Sequence, residues 1–176
     1  MSTTQAEKKA RLARIFNTWA GEEAQNISPL PRSGSNREYY RIRGKTARAV
    51  GVYNEDYKEN MAFIHFSRHF KSYDLPVPEI YAEAIDQYVY LQEDLGDITL
   101  FGFIVEEREK PDYYHTLVTT YKKVIEQLPY FQIKAAKDFD YSYCYPRHSF
   151  DKQSMLWDLN YFKYYFLRLA HVGFDE

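Results

Sequence analysis

Four short stretches hold the residues best suited to chemistry. Arg32-Ser-Gly-Ser-Asn36 is small and polar, and Gly34 at its centre lacks the Cβ that would keep a phosphate away from backbone amides. It is a single glycine, so neither the P-loop nor G-x-G-x-x-G is met, and an ordinary hairpin turn is the plainer reading of these residues alone. Glu59 follows Asp56 by three, the spacing of a capping box in which Asp56 accepts from a first-turn amide and Glu59 reaches back. A carboxylate on a helix beside a strand can also orient a lysine that contacts phosphate. Glu93, Asp94 and Asp97 cluster after Tyr88-Val-Tyr-Leu91, a short apolar strand, and the chain must turn at Leu95-Gly96. Clustered carboxylates raise one another's pKa and could serve as acids or metal ligands; the alternative is that they face water and cap a helix starting at Asp97 or Thr99. His65 and His69 stand at i and i+4 without the glutamate of H-E-x-x-H, so no metal site is expected. Cys144 has no base near it in sequence and is expected to be inert.

These stretches need elements to position them. Leu12, Ile15, Phe16 and Trp19 at i, i+3, i+4 and i+7 predict an amphipathic helix over 5–20 that Gly21 ends. Ile27 to Pro31, Glu38 to Arg43 and Thr46 to Tyr53 predict a three-strand antiparallel meander. A helix opens at Asp56 with Phe63, Phe66 and Phe70 as its expected buried stripe, and Glu79 to Ala84 and Tyr88 to Leu91 add two strands. Beyond the turn, Thr99 to Glu109 and Asp112 to Leu128 read as helical, Pro129 to Arg147 as irregular, and Asp151 to His171 as one long helix. That last helix is apolar nearly all round (Met155, Leu159, Phe162, Phe166, Leu169, with Trp157, Tyr161, Tyr164 and Tyr165) and is expected to be buried on more than one side.

Composition narrows the classes. With 176 residues and 45% hydrophobic content, the chain holds material for one core. A net charge of -2 provides no general field for nucleic acid or an acidic membrane, so neither is expected as a partner. The single cysteine allows no internal disulfide, and no N-terminal apolar run resembles a signal peptide, so a cytoplasmic location is expected.

In order and in motif, the chain resembles the aminoglycoside phosphotransferase and choline kinase-like family, nearest to bacterial kinases of cell-wall amino sugars. The residues that carry this are Leu30-Pro-Arg-Ser-Gly-Ser-Asn-Arg-Glu-Tyr-Tyr-Arg41, Lys58-Glu-Asn60, Leu75-Pro-Val-Pro-Glu-Ile-Tyr81 and Leu91-Gln-Glu-Asp-Leu-Gly-Asp97. The resemblance implies an α+β fold: an N-terminal helix (1–25), a kinase-like N-lobe with a five-stranded antiparallel sheet plus helix (26–95), and the first helices of an incomplete C-lobe (96–176). It further implies ATP as cofactor and a small hydroxyl-bearing substrate, a sugar, for the complete enzyme. Arg32, Ser33, Gly34, Ser35 and Asn36 would lie over the phosphates. The backbone of Gln92, Glu93, Asp94 and Leu95 would meet the adenine edge, Ala49 and Leu95 would pack on the base, and Glu59 would be the helix carboxylate that pairs with a strand lysine. Two departures stand out. By the A-x-K pattern, Ala49-Val-Gly51 leaves glycine where lysine is expected, with Arg37, Arg41 or Arg43 as substitute cations. Nothing from Tyr141 to Glu176 fits H-x-D-x-x-x-x-N or the later metal-binding Asp, so Mg2+ is expected only with a missing C-lobe, and no catalytic residue is assigned. The alternative is a kinase-like interaction module that associates, with itself or a partner, through the aromatic helix 151–171.

Overall fold

The computed structural model describes residues 3–31 and 34–174, which fall into two compact units, Met1–Asp140 and Tyr141–Glu176. In the first unit, helix α1 (Gln5–Ala20) starts with a reciprocal cap. The Thr4 hydroxyl accepts from the Glu7 amide and the Glu7 carboxylate accepts from the Thr4 amide, which satisfies two otherwise orphaned N–H groups. Gly21 ends the helix in the left-handed region at φ 67°, where a Cβ would be strained.

Strands β1 (Asn26–Pro29), β2 (Glu38–Arg43) and β3 (Arg48–Tyr53) form the meander. Helix α2 (Tyr57–Ser72) follows, then β4 (Ile80–Ala84) and β5 (Val89–Gln92). The strands form one antiparallel sheet in the order β1-β2-β3-β5-β4, so the protein is α+β. β5 enters between β3 and β4 and thereby carries the Glu93 to Gly96 turn out of the middle of the sheet.

Alternation along the strands divides their side chains between two faces. Tyr40, Ile42, Ala49, Tyr53, Val89 and Leu91 pack with Leu12, Ile15 and Phe16 of α1. Val50, Val52 and Tyr90 pack with Ile64 of α2 on the other face. Every residue from Ala49 to Tyr53 is buried, which is why β3 reads as an unbroken apolar run instead of an alternating one. Trp19 ties α1 to β4 by stacking on Tyr81 at 4.5 Å and 9°.

The expected Phe63, Phe66 and Phe70 stripe of α2 is corrected by the packing. The fully buried positions of α2 are Asn60, Ala62, Ile64 and Ser67, and the three phenylalanines are half-buried. The reason is that α2 serves two neighbours. Phe63 meets Tyr90 of the sheet at 5.6 Å, whereas Phe66 and Phe70 meet Phe139 and Phe131, each pair at 5.1 Å. Those partners belong to a segment that returns to α2 after helices α3 (Leu100–Glu107) and α4 (Tyr113–Pro129) and a π-helical turn at Tyr130–Lys134. The Thr99 hydroxyl caps α3 by accepting from the Gly102 amide at 3.0 Å.

In the second unit, α5 (Lys152–Phe162) is capped by Asp151 and passes into a π-helical turn at Lys163–Leu167, so the single helix expected to His171 is interrupted. Its burial is also corrected: Met155, Leu159, Phe162, Phe166 and Leu169 are all exposed. The aromatic residues of this unit stack along the helix on one another, Tyr161 on Tyr165 at 4.5 Å and Phe162 on Phe166 at 5.2 Å. Among the described residues no helix is long and apolar enough to cross a membrane.

Candidate functional site

The site is built where α2 begins against the sheet. Asp56 caps α2 as expected, its carboxylate accepting from the Glu59 amide at 3.0 Å. The reciprocal half of the expected capping box does not form. Asn54, at the end of β3, takes the Asp56 amide on its own Oδ1 at 3.2 Å. The Glu59 carboxylate turns instead toward the sheet, where Oε2 accepts from Asn54 Nδ2 at 2.7 Å and Oε1 pairs with Arg37 at 3.2 Å.

Asn54 is 4% exposed, and its carbonyl accepts from the fully buried Asn60 Nδ2 at 2.7 Å. It joins β3 to α2 and aims Glu59. Asn54→Ala is expected to destabilise the fold by about 2 kcal/mol, because it strands the Asp56 amide and one side of Glu59. Urea denaturation of the variant against the parent chain measures this. An unchanged midpoint would mean that water replaces both bonds.

Arg37 comes from the connection between β1 and β2 and lies over the Phe63 ring, its Cζ 4.8 Å from the centroid. A second bond runs from Nη2 to the Glu59 carbonyl at 3.3 Å. Burial works against the charged guanidinium, but Tyr90, Tyr39 and Glu59 together outweigh it and hold Arg37 above the ordinary arginine pKa. On the same face, burial raises the Tyr90 hydroxyl well above an ordinary phenol, with Arg37 opposing only in part. Among the described residues, Arg37 Nε, the Tyr90 hydroxyl and Gln92 Oε1 are buried without a hydrogen-bond partner.

The turn after β5 is clamped from β2. Arg41 donates from Nε and Nη2 to the two oxygens of Asp94 at 2.8 and 2.9 Å, and from Nη1 to Asp97 at 2.8 Å. The Asp94 side chain is 5% exposed and that of Asp97 76%. Asp94 therefore neither faces water nor has its pKa raised by its neighbours. Burial pushes its carboxyl up, but hydrogen bonds from Arg41 and the Gly96 amide prevail and hold it below the usual range. Glu93 is drawn to β4: its amide donates to the Glu79 carbonyl at 2.9 Å and its carboxylate accepts from the Glu79 amide at 3.2 Å. Gln92 is still in register with Val50 and Ile80. Of the four residues expected to meet a base, Gln92 and Glu93 thus extend the sheet. Among the described residues, the backbones of Asp94 and Leu95 make no backbone hydrogen bond, and Leu95 is 66% exposed.

Ala49 requires a correction. It is fully buried among the α1 contacts, on the face away from Glu59, and so cannot pack on a base held on the α2 face. The residues of β3 that face α2 are Val50 and Val52. Gly51 shares the face of Ala49, where a Cβ would meet Ile42 Cδ1 and Leu12 Cδ2 at 2.7 Å each. Close packing of α1 on the sheet accounts for glycine at this position.

Arg32 and Ser33 lie outside the described residues. Gly34, Ser35 and Asn36 are exposed, and a Cβ on Gly34 would meet nothing within 4 Å. His69 Nε2 donates to the Ala135 carbonyl at 2.6 Å, so it fastens the returning segment to α2. Sequence reasoning missed Asn54, Asn60 and Tyr90. A usable signal was present: Asn60 follows Glu59 and precedes Ile64 by four, so a polar amide occupies a core position of α2.

Fold and site define an α+β protein whose sheet carries an arginine–glutamate pair on one face and an arginine-clamped turn at its exit. Comparison with family models, with curated proteins and with solved structures finds no match to the chain.

Proposed function

We propose that the chain is the nucleotide-binding portion of an ATP-dependent small-molecule phosphotransferase of the aminoglycoside phosphotransferase and choline kinase-like type, with a sugar hydroxyl as acceptor in the complete enzyme. The observation that carries this is the Arg37–Glu59 pair. Phosphoryl transfer needs a fixed cation near the phosphates, oriented by a helix carboxylate. Here the cation comes from the connection just before β2 in place of a β3 lysine. The strand order, the turn leaving a central strand and the open backbone of Asp94 and Leu95 support the same reading. With Ala49 on the far face, Val50 takes its place as the apolar contact for the base. Among the described residues no group of three or more His, Cys, Asp or Glu side chains is placed to hold a metal, and no transfer step is assigned to them.

Titration with ATP, followed by amide NMR, is expected to shift Gly34 and Leu95; unmoved signals at both would overturn the reading. Gly34→Ala sharpens the test. Its Cβ has open space, so stability should stay within about 0.5 kcal/mol, while ATP affinity falls about tenfold if phosphate approaches the backbone there. An unchanged affinity would leave the loop as a plain turn.

A second reading, a kinase-like interaction module, draws on the exposed aromatic face of α5. Light scattering that shows a monomer, together with no partner in a pull-down, would count against it.

A further inference from the structure

The sheet has two edges, and the one formed by β4 runs beside a groove. β4 pairs only with β5, so among the described residues the outer side of its backbone has no strand alongside it. A register shift between Ile80 and Ala82 makes a bulge, and Tyr81 and Ala82 both pack toward α1. Tyr81 thereby reaches Trp19, and this stacked pair lines a groove of 350 Å³ between α1 and β4, on the sheet face away from Glu59. Ile15, Ala82 and Ala84 complete its apolar wall, and the two alanines leave room at the strand because their side chains end at Cβ. The rim is cationic. Arg14 is exposed, donates to Gln87 Oε1 at 3.4 Å and pairs with no carboxylate among the described residues. Glu83, the acidic residue of the lining, is already paired with Arg68 of α2 at 3.2 Å.

We propose that this groove and the β4 edge together dock an extended peptide segment of a partner protein, which adds to the sheet as a further strand and carries an apolar and an acidic side chain two residues apart. Strand and groove select that occupant jointly. The free edge holds main-chain donors and acceptors that an incoming strand satisfies and a small ligand leaves unused. Side chains two apart on a strand share a face. A segment that lays its apolar residue against Ala82 and Ala84 therefore presents its acidic residue on the α1 side, where Arg14 stands without a carboxylate. A second copy of β4 fits less well, because its Glu83 points to α2 and it has only alanines and Tyr81 for that side. Five residues with a bulge support a short ladder, so the association is weak and reversible. The proposal goes beyond the nucleotide-binding reading and does not rest on it, since the groove lies on the opposite face of the sheet.

The test uses the full chain with two acetylated and amidated peptides, Thr-Thr-Leu-Thr-Glu-Thr-Thr and Thr-Thr-Glu-Thr-Leu-Thr-Thr, because strand direction decides which order fits. At millimolar concentration one of them is expected to shift the Tyr81 to Ala84 amides and the Trp19 indole, and to slow hydrogen exchange of the β4 amides that face away from β5. Replacing its glutamate by lysine is expected to weaken binding about tenfold, and N-methylating alternate residues, in the phase that removes the edge-facing N–H groups, to do the same. Arg14→Glu, at an exposed position, is expected to reverse the preference between the glutamate and lysine peptides while the amide fingerprint shows the fold intact. No shift over Tyr81 to Ala84 with either order overturns the proposal, as does N-methylation without effect in both phases or an unaltered preference in Arg14→Glu. Sodium benzoate reproducing the peptide's shifts would give the groove to a small anion, and β4 signals that move with protein concentration alone would give it to a second copy; either result also overturns it.

Discussion

Gly51→Lys, which restores the lysine that the A-x-K pattern expects, is expected to unfold the sheet unit and to create no nucleotide contact. The Cβ alone would meet Leu12 Cδ2 and Ile42 Cδ1 at 2.7 Å, and both of those side chains are fully buried. A four-carbon stem and an ammonium would have to enter the α1 face among Leu12, Phe16 and Ile42, and the Glu38 carboxylate on that face already pairs with Lys8 at 2.8 Å. Overpacking combined with an unpaired buried cation belongs among the most severe substitutions, roughly 4 kcal/mol or more. Gly51→Ala provides the graded companion at about 1–2 kcal/mol, because the atoms it meets are the ends of side chains. Circular dichroism melts of both variants measure the effect. A folded Gly51→Lys that binds ATP more tightly would place the phosphate site on the α1 face and refute the assignment to Arg37.

Arg41→Ala is expected to be the next largest loss, about 2–3 kcal/mol at neutral pH, because it leaves the Asp94 carboxylate enclosed without its bidentate partner. The effect should depend on pH in a defined direction. In the parent chain the folded pKa of Asp94 lies below its ordinary value, so its pairing stabilises the fold above the unfolded pKa, near about 3.9. That contribution is lost as pH falls through the lower, folded value. In the variant, burial acts on the carboxyl without the guanidinium, and the fold should favour the neutral acid. The stability difference between the two proteins should therefore be widest above about pH 5 and shrink on acidification. A difference that stays constant from pH 7 to pH 3 would show that Arg41 acts through packing of its stem alone. The same variant should broaden the Leu95 and Gly96 amide signals, since Asp94 also accepts from the Gly96 amide at 3.1 Å.

Much of the architecture was legible in order along the chain, for a local reason. The spacing of Leu12, Ile15 and Phe16, the stop at Gly21, the alternating and apolar runs that became β2, β3 and β5, and the caps at Asp56 and Thr99 are short-range effects, and all appear in the structure. What failed depended on a partner distant in sequence. The burial of Phe66 and Phe70 follows Phe139 and Phe131, about sixty to seventy residues on, and the apolar residues of α5 are exposed within their own unit; neither can be read from helical period alone.

The candidate site divides along the same line. By itself the sequence determined which stretches would matter: the small polar loop around Gly34, the carboxylate Glu59 at the start of a helix, and the turn from Glu93 to Gly96. Only the tertiary structure decided which face of the sheet each residue serves. Strand parity puts Ala49 and Gly51 under α1 and Arg37, Val50 and Tyr90 under α2, and the registers of β2 against β3 and of β3 against β5 determine which of three arginines reaches Glu59 and which reaches Asp94. A residue's face depends on what packs above it, and a one-residue change of register would exchange every assignment.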